Sequence, residues 1–297
     1  MTKFNRIALC FAMVISASAF AAPKFQGQQV CKGIAEKNNM RIPLKHGDNT
    51  GLSEAQFNQI MDRMLATYSD EIKSLGGTYS IERLWTDATV NAFATRQGQA
   101  WTIHMYGGLA RHPMMTMDAM TLVACHETGH IIGSAPHATF SNMANEGEAD
   151  YFGSLKCLRK VFATDDAGNA QVEAMMMDNK VDSFAKSECE KEFTTHADQV
   201  ICMRSAMAGL QLATVLGNLR QEATPPSFTT PDPKQVLFTS NDHPPTQCRL
   251  DTYFNASRCP VPASEAVSSS NYRAGTCDKD PTYNTGSRPH CWFHHWF

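Results

Sequence analysis

The sequence predicts an α+β fold, mostly helical, with one small antiparallel sheet. Three observations predict it. Three short segments rich in β-formers lie close together between residues 78 and 106. Longer stretches without Pro or Gly fill much of the chain after residue 145, as helices do. Between them runs Met117 to Ala124, apolar and unbroken, leading into Cys125-His126-Glu127-Thr128-Gly129-His130.

Each element follows in order. Lys3 and Arg6 make a basic start, Ile7 to Ile15 is apolar, and Ala19-Phe20-Ala21 is a small-x-small cleavage site. Residues 1–21 therefore read as a signal peptide, and the chain as exported, either periplasmic or secreted. Residues 22–50 read as irregular. Ser53 caps a helix that runs to Leu75, with Phe57, Ile60, Met61 and Met64 on one face and Gly76-Gly77 ending it. Thr78 to Thr86, Val90 to Ala94 and Ala100 to Tyr106 read as strands, the last two joined by a turn at Gly98. Gly107-Gly108-Leu109 closes the sheet. The helix that carries the histidines spans about 117–132.

After a short connection containing Pro136, helices are expected near 145–160, 171–192 and 196–222. Four prolines between Ala223 and Pro233 exclude a helix there and suggest a wall or lid beside a cleft. The main domain is expected over 22–250, and 251–297 as a Cys-rich tail held by disulfides.

Composition narrows the function. The chain has 297 residues, a formal net charge of -3 and 42% hydrophobic residues, with no basic footprint for nucleic acid. The most apolar later stretch, Val200 to Leu219, carries Arg204, Gln211 and Asn218, so no transmembrane segment is expected. Setting Cys10 aside with the signal leaves an odd number of cysteines, so at least one has no partner within the chain. No Cys-x-x-Cys pair occurs. Cys248 is expected to bridge to Cys259, its nearest neighbour in sequence.

His126 and His130 are four apart and share a helical face, the spacing with which two imidazoles grip one metal ion. Glu127 sits one position round, where a carboxylate takes the proton of an attacking water. The third ligand separates two patterns. A metzincin-type site needs a His at 136, but that residue is Pro136 and His137 is one late, although Gly133 and Ser141-Asn142-Met143 suit that group. A gluzincin-type site takes a Glu from a second helix. Asn145-Glu146-Gly147-Glu148-Ala149-Asp150 offers Glu146 as ligand, with Asp150 on the same face to accept a hydrogen bond from a ligand histidine. Glu148 falls on another face.

Four separated blocks resemble the HtpX and CAAX prenyl endopeptidase family of gluzincin metallopeptidases. They are Asn91-Ala92-Phe93-Ala94 with Gly107-Gly108-Leu109, then His126 to His130, then Glu146 to Asp150, then His243-Pro244-Pro245 through Arg249-Leu250. Only 15 residues separate His130 from Glu146, a spacing closer to thermolysin-like enzymes. The resemblance implies a zincin fold and a single Zn2+ held by His126, His130 and Glu146. It makes Glu127 the general base, His243 the oxyanion donor, Asp150 the partner of a ligand histidine, and Arg249 a residue that orders the His243 loop. It implies a protein or peptide substrate, expected to add to the exposed strand within Ala100 to Tyr106. A non-catalytic binding or chaperone-like module on the same fold is the alternative. The last residues, Cys291-Trp292-Phe293-His294-His295-Trp296-Phe297, either dock as a closing patch or bring His294 or His295 to the metal.

Overall fold

The computed structural model describes residues 27–36, 38–44, 51–139, 141–278 and 285–295. Residues 1–21, expected as a signal peptide, lie outside the described residues. Helix α1 (Glu54–Ser74) begins where Ser53 Oγ accepts from Gln56 N and the Gln56 side chain accepts from Ser53 N. Its apolar face, Phe57 to Ile72, is fully buried.

The sheet differs from expectation. Strands β1 (Gln29–Val30), β2 (Thr78–Leu84), β3 (Ala92–Gln97) and β4 (Ala100–Tyr106) lie in the order β1-β3-β4-β2. β3 and β4 form the expected antiparallel hairpin, but β2 pairs with β4 in parallel, so the sheet is mixed rather than antiparallel. Alternating side chains report which face a residue takes and not which strand lies beside it. The connection 85–91 passes over the end of β4 to reach β3 on its other side. A Cβ at Gly107 would lie 1.9 Å from Trp85 O, and one at Gly108 would lie 2.1 Å from Ala88 O, so these glycines let the crossing chain through. They sit in a one-turn helix, α2 (Gly107–Ala110). β1 comes from a stretch expected to be irregular; it pairs antiparallel with β3. β4 is therefore interior and offers no free edge, contrary to the expected peptide lane.

Helix α3 (Met117–Ile132) is capped by Thr116 and buried along nearly its whole length. It packs against the sheet, α1, α4 (Glu146–Phe152) and α8 (His196–Leu219). α4 continues through a π-helical stretch, 153–158, into α5 (Arg159–Phe162). The Cys125–Cys157 disulfide ties that stretch to α3. α6 (Asp166–Met177) and α7 (Ser183–Glu192) divide what was expected as one helix; Asn179, at φ +53, turns the chain between them. Cys189–Cys202 joins α7 to α8. α8 is long and apolar enough to cross a membrane, but here it is mostly buried, and its Arg204 is bound to Asp118 and Asp165.

Residues 223–233 form no helix, as expected, and Pro225 and Pro226 line a recess against Pro245 and Gln247. α9 (Thr246–Arg258) was not foreseen, and the expected division at residue 250 falls inside it. The expected Cys248–Cys259 bridge does not form: the pairs are Cys248–Cys291 and Cys259–Cys277. Cys248 and Cys259 stand at opposite ends of α9, about 16 Å apart at the helical rise per residue, well beyond the reach of a disulfide.

The tail has a core of its own. Trp292 and Phe293 pack with Tyr151, Leu155 and the Cys248–Cys291 bridge. A Cβ at Gly147 would meet the Trp292 ring at 2.2 Å, so the glycine seats the indole on α4. His294 Nδ1 donates to Val236 O and His295 Nε2 to Arg288 O. The tail is a closing patch, and neither imidazole reaches the site.

The crossing loop makes a direct test. Gly108→Ala drives a Cβ into backbone and should cost about 1–3 kcal/mol or more. Gly27→Ala, with open space around it, should cost far less. Urea unfolding midpoints at unchanged slope measure the difference. Equal midpoints would mean that the loop can give way.

Candidate metal centre

The site is built from three helices and one loop. On α3, His126 and His130 face each other edge-on, with ring centroids 4.6 Å apart. His126 Nδ1 lies 2.7 Å from Asp150 Oδ1, and His130 Nδ1 lies 2.8 Å from Ala144 O. A carbonyl can only accept, so His130 carries its proton on Nδ1. The Asp150 carboxylate imposes the same tautomer on His126. Both Nε2 lone pairs then point inward, and they stand 3.1 Å apart. Glu146 Oε2 joins them at 3.3 Å from His126 Nε2 and 3.5 Å from His130 Nε2. That oxygen is buried and has no hydrogen-bond partner among the described residues.

Three electron-pair donors thus face one another, all within 4.8 Å, in a buried space. Without a positive charge among them this arrangement is strongly unfavourable, and the neighbouring carboxylates accordingly push both imidazoles towards the protonated form when no cation is bound. A divalent cation satisfies all three at once, and two imidazoles with one carboxylate form a donor set suited to zinc. The side chains present fit the ion that the sequence suggested.

The second helix orients these groups. Asn145 caps α4 by accepting from Glu148 N, which sets the first turn and places Glu146 against α3. Gly129 makes room: a Cβ there would lie 3.0 Å from Ala149 O. Asp150, four residues after Glu146, accepts from His126, from Tyr253 Oη at 2.7 Å, and from Arg249 through two bonds of 2.7 and 2.8 Å. Burial alone would raise the Asp150 carboxyl, but Arg249 and His126 outweigh it and hold it at about 2. Burial has the opposite outcome at Glu127, whose carboxyl is pushed above the usual range despite the neighbouring histidines. Glu127 Oε1 is buried and has no hydrogen-bond partner among the described residues.

His243 precedes the Pro244-Pro245 entry to α9, which swings its ring in. His243 Nε2 lies 3.3 Å from Glu146 Oε2 and donates to Gly33 O at 2.6 Å. Arg249 binds Asp150 and also donates to Ile34 O. A cavity of about 480 Å³ opens beside His243, walled by Ile34, Leu216, Leu219, Arg220 and Pro245.

The structure therefore brings together His126, Glu127, His130, Glu146, Asp150, His243 and Arg249. It does not bring His137 to the site. His137 bridges Ala144 in an extended pair and joins no metal-sized group among the described residues. Glu148 faces away, where Arg288, Ser134 and the tail hold it.

Sequence reasoning missed three residues. Tyr253 and Arg288 come from helix and tail segments that carry no motif. Cys31 had a signal in the odd cysteine count: it is free, and its thiol donates to Glu127 Oε2 at 3.2 Å. Burial pushes that thiol up to about 11. Searches of protein-family models, curated proteins and solved structures found no match to this chain.

The Asp150 network predicts a stability effect. Asp150→Ala strands a buried guanidinium and should cost about 3–5 kcal/mol in urea at neutral pH with a chelator present. The folded pKa is depressed, so the wild-type carboxylate stabilises the fold fully above the ordinary Asp value of about 3.9 and loses that effect as pH falls through about 2. The gap between wild type and Asp150→Ala should therefore close over that window. A gap independent of pH would show that the charge of Asp150 is not what matters.

Proposed function

We propose that the protein is an exported zinc-dependent endopeptidase, with a zincin fold of the HtpX and CAAX prenyl endopeptidase type. The observation that carries the reading is the convergence of His126 Nε2, His130 Nε2 and Glu146 Oε2 beside the unpartnered Glu127 Oε1. A zinc ion at that point supplies Lewis acidity, which acidifies water and polarises a carbonyl.

The chain's own groups do the rest. Glu127 takes a proton from the attacking water as its oxygen bonds to the scissile carbonyl carbon. When the carbon–nitrogen bond breaks, Glu127 returns that proton to the leaving nitrogen. His243 donates from Nε2, the nitrogen that already donates to a backbone carbonyl, to the oxygen on which negative charge develops. Asp150 and Ala144 O hold the Nδ1 protons of the two ligand imidazoles and so turn both Nε2 atoms inward. Arg249 holds Asp150 and positions the helix that follows His243.

The full chain should hold about one zinc, and His126→Ala, His130→Ala and Glu146→Ala should each lose most of it, while His137→Ala keeps it. Metal analysis after gel filtration reads this. Loss in His137→Ala with retention in Glu146→Ala would move the third ligand to His137. Glu127→Gln keeps shape but cannot accept the proton. It should bind zinc normally and lower hydrolysis of an unfolded protein by about 10²–10⁴-fold. Undiminished hydrolysis would remove Glu127 as the base. Zinc binding without hydrolysis in the wild type, under conditions that free the cleft, would favour the binding-module reading.

A further inference from the structure

Cys31, the free cysteine among the described residues, stands beside Glu127 and His130 in the site. Cys31 Sγ, a Glu127 carboxylate oxygen and a His130 ring nitrogen lie within 4.8 Å of one another. His130 also belongs to the His126–Glu146 group, so the two groups share a corner. Two buried oxygens beside the thiol, Glu127 Oε1 and Glu146 Oε2, have no hydrogen-bond partner among the described residues. Four donor side chains and a base therefore surround one small space.

The backbone that carries Cys31 is placed as a bound peptide would be. Gln29 and Val30 pair antiparallel with Arg96 and Thr95 on the edge of β3. Cys31 N then donates to Ala94 O at 3.1 Å and Ile34 N to Ala92 O at 3.0 Å. Ala35 is held from both sides by Asn91. Period-two alternation turns Val30 to solvent and Cys31 inward. His243 Nε2 binds Gly33 O, the kind of carbonyl it would bind in a substrate. Arg249 binds Ile34 O, and Lys32 pairs with Asp242 at the outer rim. Residues 29–31 lie along the sheet edge as a peptide does in strand addition, and at Gly33, φ +85, the chain leaves that path and bends into the core.

We propose that Cys31 is a fourth metal ligand and that residues 29–35 occupy the substrate lane, so that this fold is a latent form of the enzyme. The inference rests on the metal reading of His126, His130 and Glu146. A zinc site with one open position is catalytic, and one closed by a fourth protein ligand is not. Thiolate is a strong zinc donor, and Cys31 Sγ also stands against Glu127, so it displaces the water that Glu127 would deprotonate. Activity requires the 29–35 segment to leave β3, which frees the edge, the open coordination position and the His243 donor together. The segment is held by the strand pairing, by polar contacts and by burial of Ile34 and Ala35 in the main core, and by no disulfide, so its release draws two apolar side chains out of the core and parts the thiolate from the metal.

The test uses the full chain with disulfides intact, loaded with Co2+ as a spectroscopic stand-in for zinc. Wild type should show a near-ultraviolet sulfur-to-cobalt charge-transfer band, and Cys31→Ala should lack it while binding Co2+ in equal stoichiometry. Alkylation of Cys31 by iodoacetamide, located by peptide mapping, should be slow in the loaded protein and fast after chelation. Hydrolysis of an unfolded protein by zinc-loaded Cys31→Ala should exceed wild type by about tenfold or more, as when a minor open population becomes the major one. Cys31→Ser, which keeps the size but is a far poorer zinc donor, checks that the gain does not come from a lost side chain. The inference is overturned if the cobalt spectra match and Cys31 alkylates equally with and without metal, while His130→Ala still abolishes binding; the metal reading then stands alone. If neither wild type nor Cys31→Ala binds Co2+, the metal reading falls and this inference with it.

Discussion

Asp150 is the constraint on which the rest of the site depends. One buried carboxylate accepts from His126 on α3 and from Arg249 and Tyr253 on α9, and it sits on α4 itself. Three helices are thereby fixed around a single side chain. The charge balance is local: Arg249 compensates the carboxylate, so burial does not neutralise it, and the carboxylate can keep His126 in the tautomer that turns its lone pair inward. Arg249 passes the constraint on through Ile34 O, so the segment that carries Cys31 is tied to the same charge pair.

α4 is held from its other face as well. Glu148 is buried against Arg288, which also binds Asp278, Ser134 and Tyr272 O. Trp292 lies over Gly147, and Cys248–Cys291 fastens the tail to α9. Glu146 thus projects from a helix whose inner side is bound to α3 and α9 and whose outer side is bound to the tail. Rigid support of this kind keeps the Glu146 carboxylate in place although Oε2 makes no hydrogen bond among the described residues. The tail acts on the site through α4 and not by entering it.

Crowding of like donors is the other organising fact. Two imidazole lone pairs and a carboxylate oxygen converge where no donor from the chain can satisfy them all. The Cys31 thiol donates to the neighbouring Glu127 and not to these three atoms. Stability given up at this point is recovered around it, in the Asp150 and Glu148 networks and the four disulfides.

The sequence by itself determined what is local. Ser53 and the apolar face of α1, the β3–β4 hairpin around Gly98, the extent of α3 and the start of α4 follow from caps, turns and periodicity within a few residues of each position. Spacing of four put His126 with His130 and Glu146 with Asp150 on their helix faces. Only the tertiary structure decided what depends on distant partners. It set β2 parallel to β4 by a crossing loop, removed the expected free edge at β4, paired Cys248 with Cys291 across the fold, and left His137 outside the site. It also made Cys31, an odd cysteine in a stretch without periodicity, a neighbour of Glu127 that lies 96 positions away in sequence. Hydrogen-bonding and apolar patterns encode which way a side chain faces along its own element. Which element it meets there is settled by packing of the whole chain, and no local pattern carries that information.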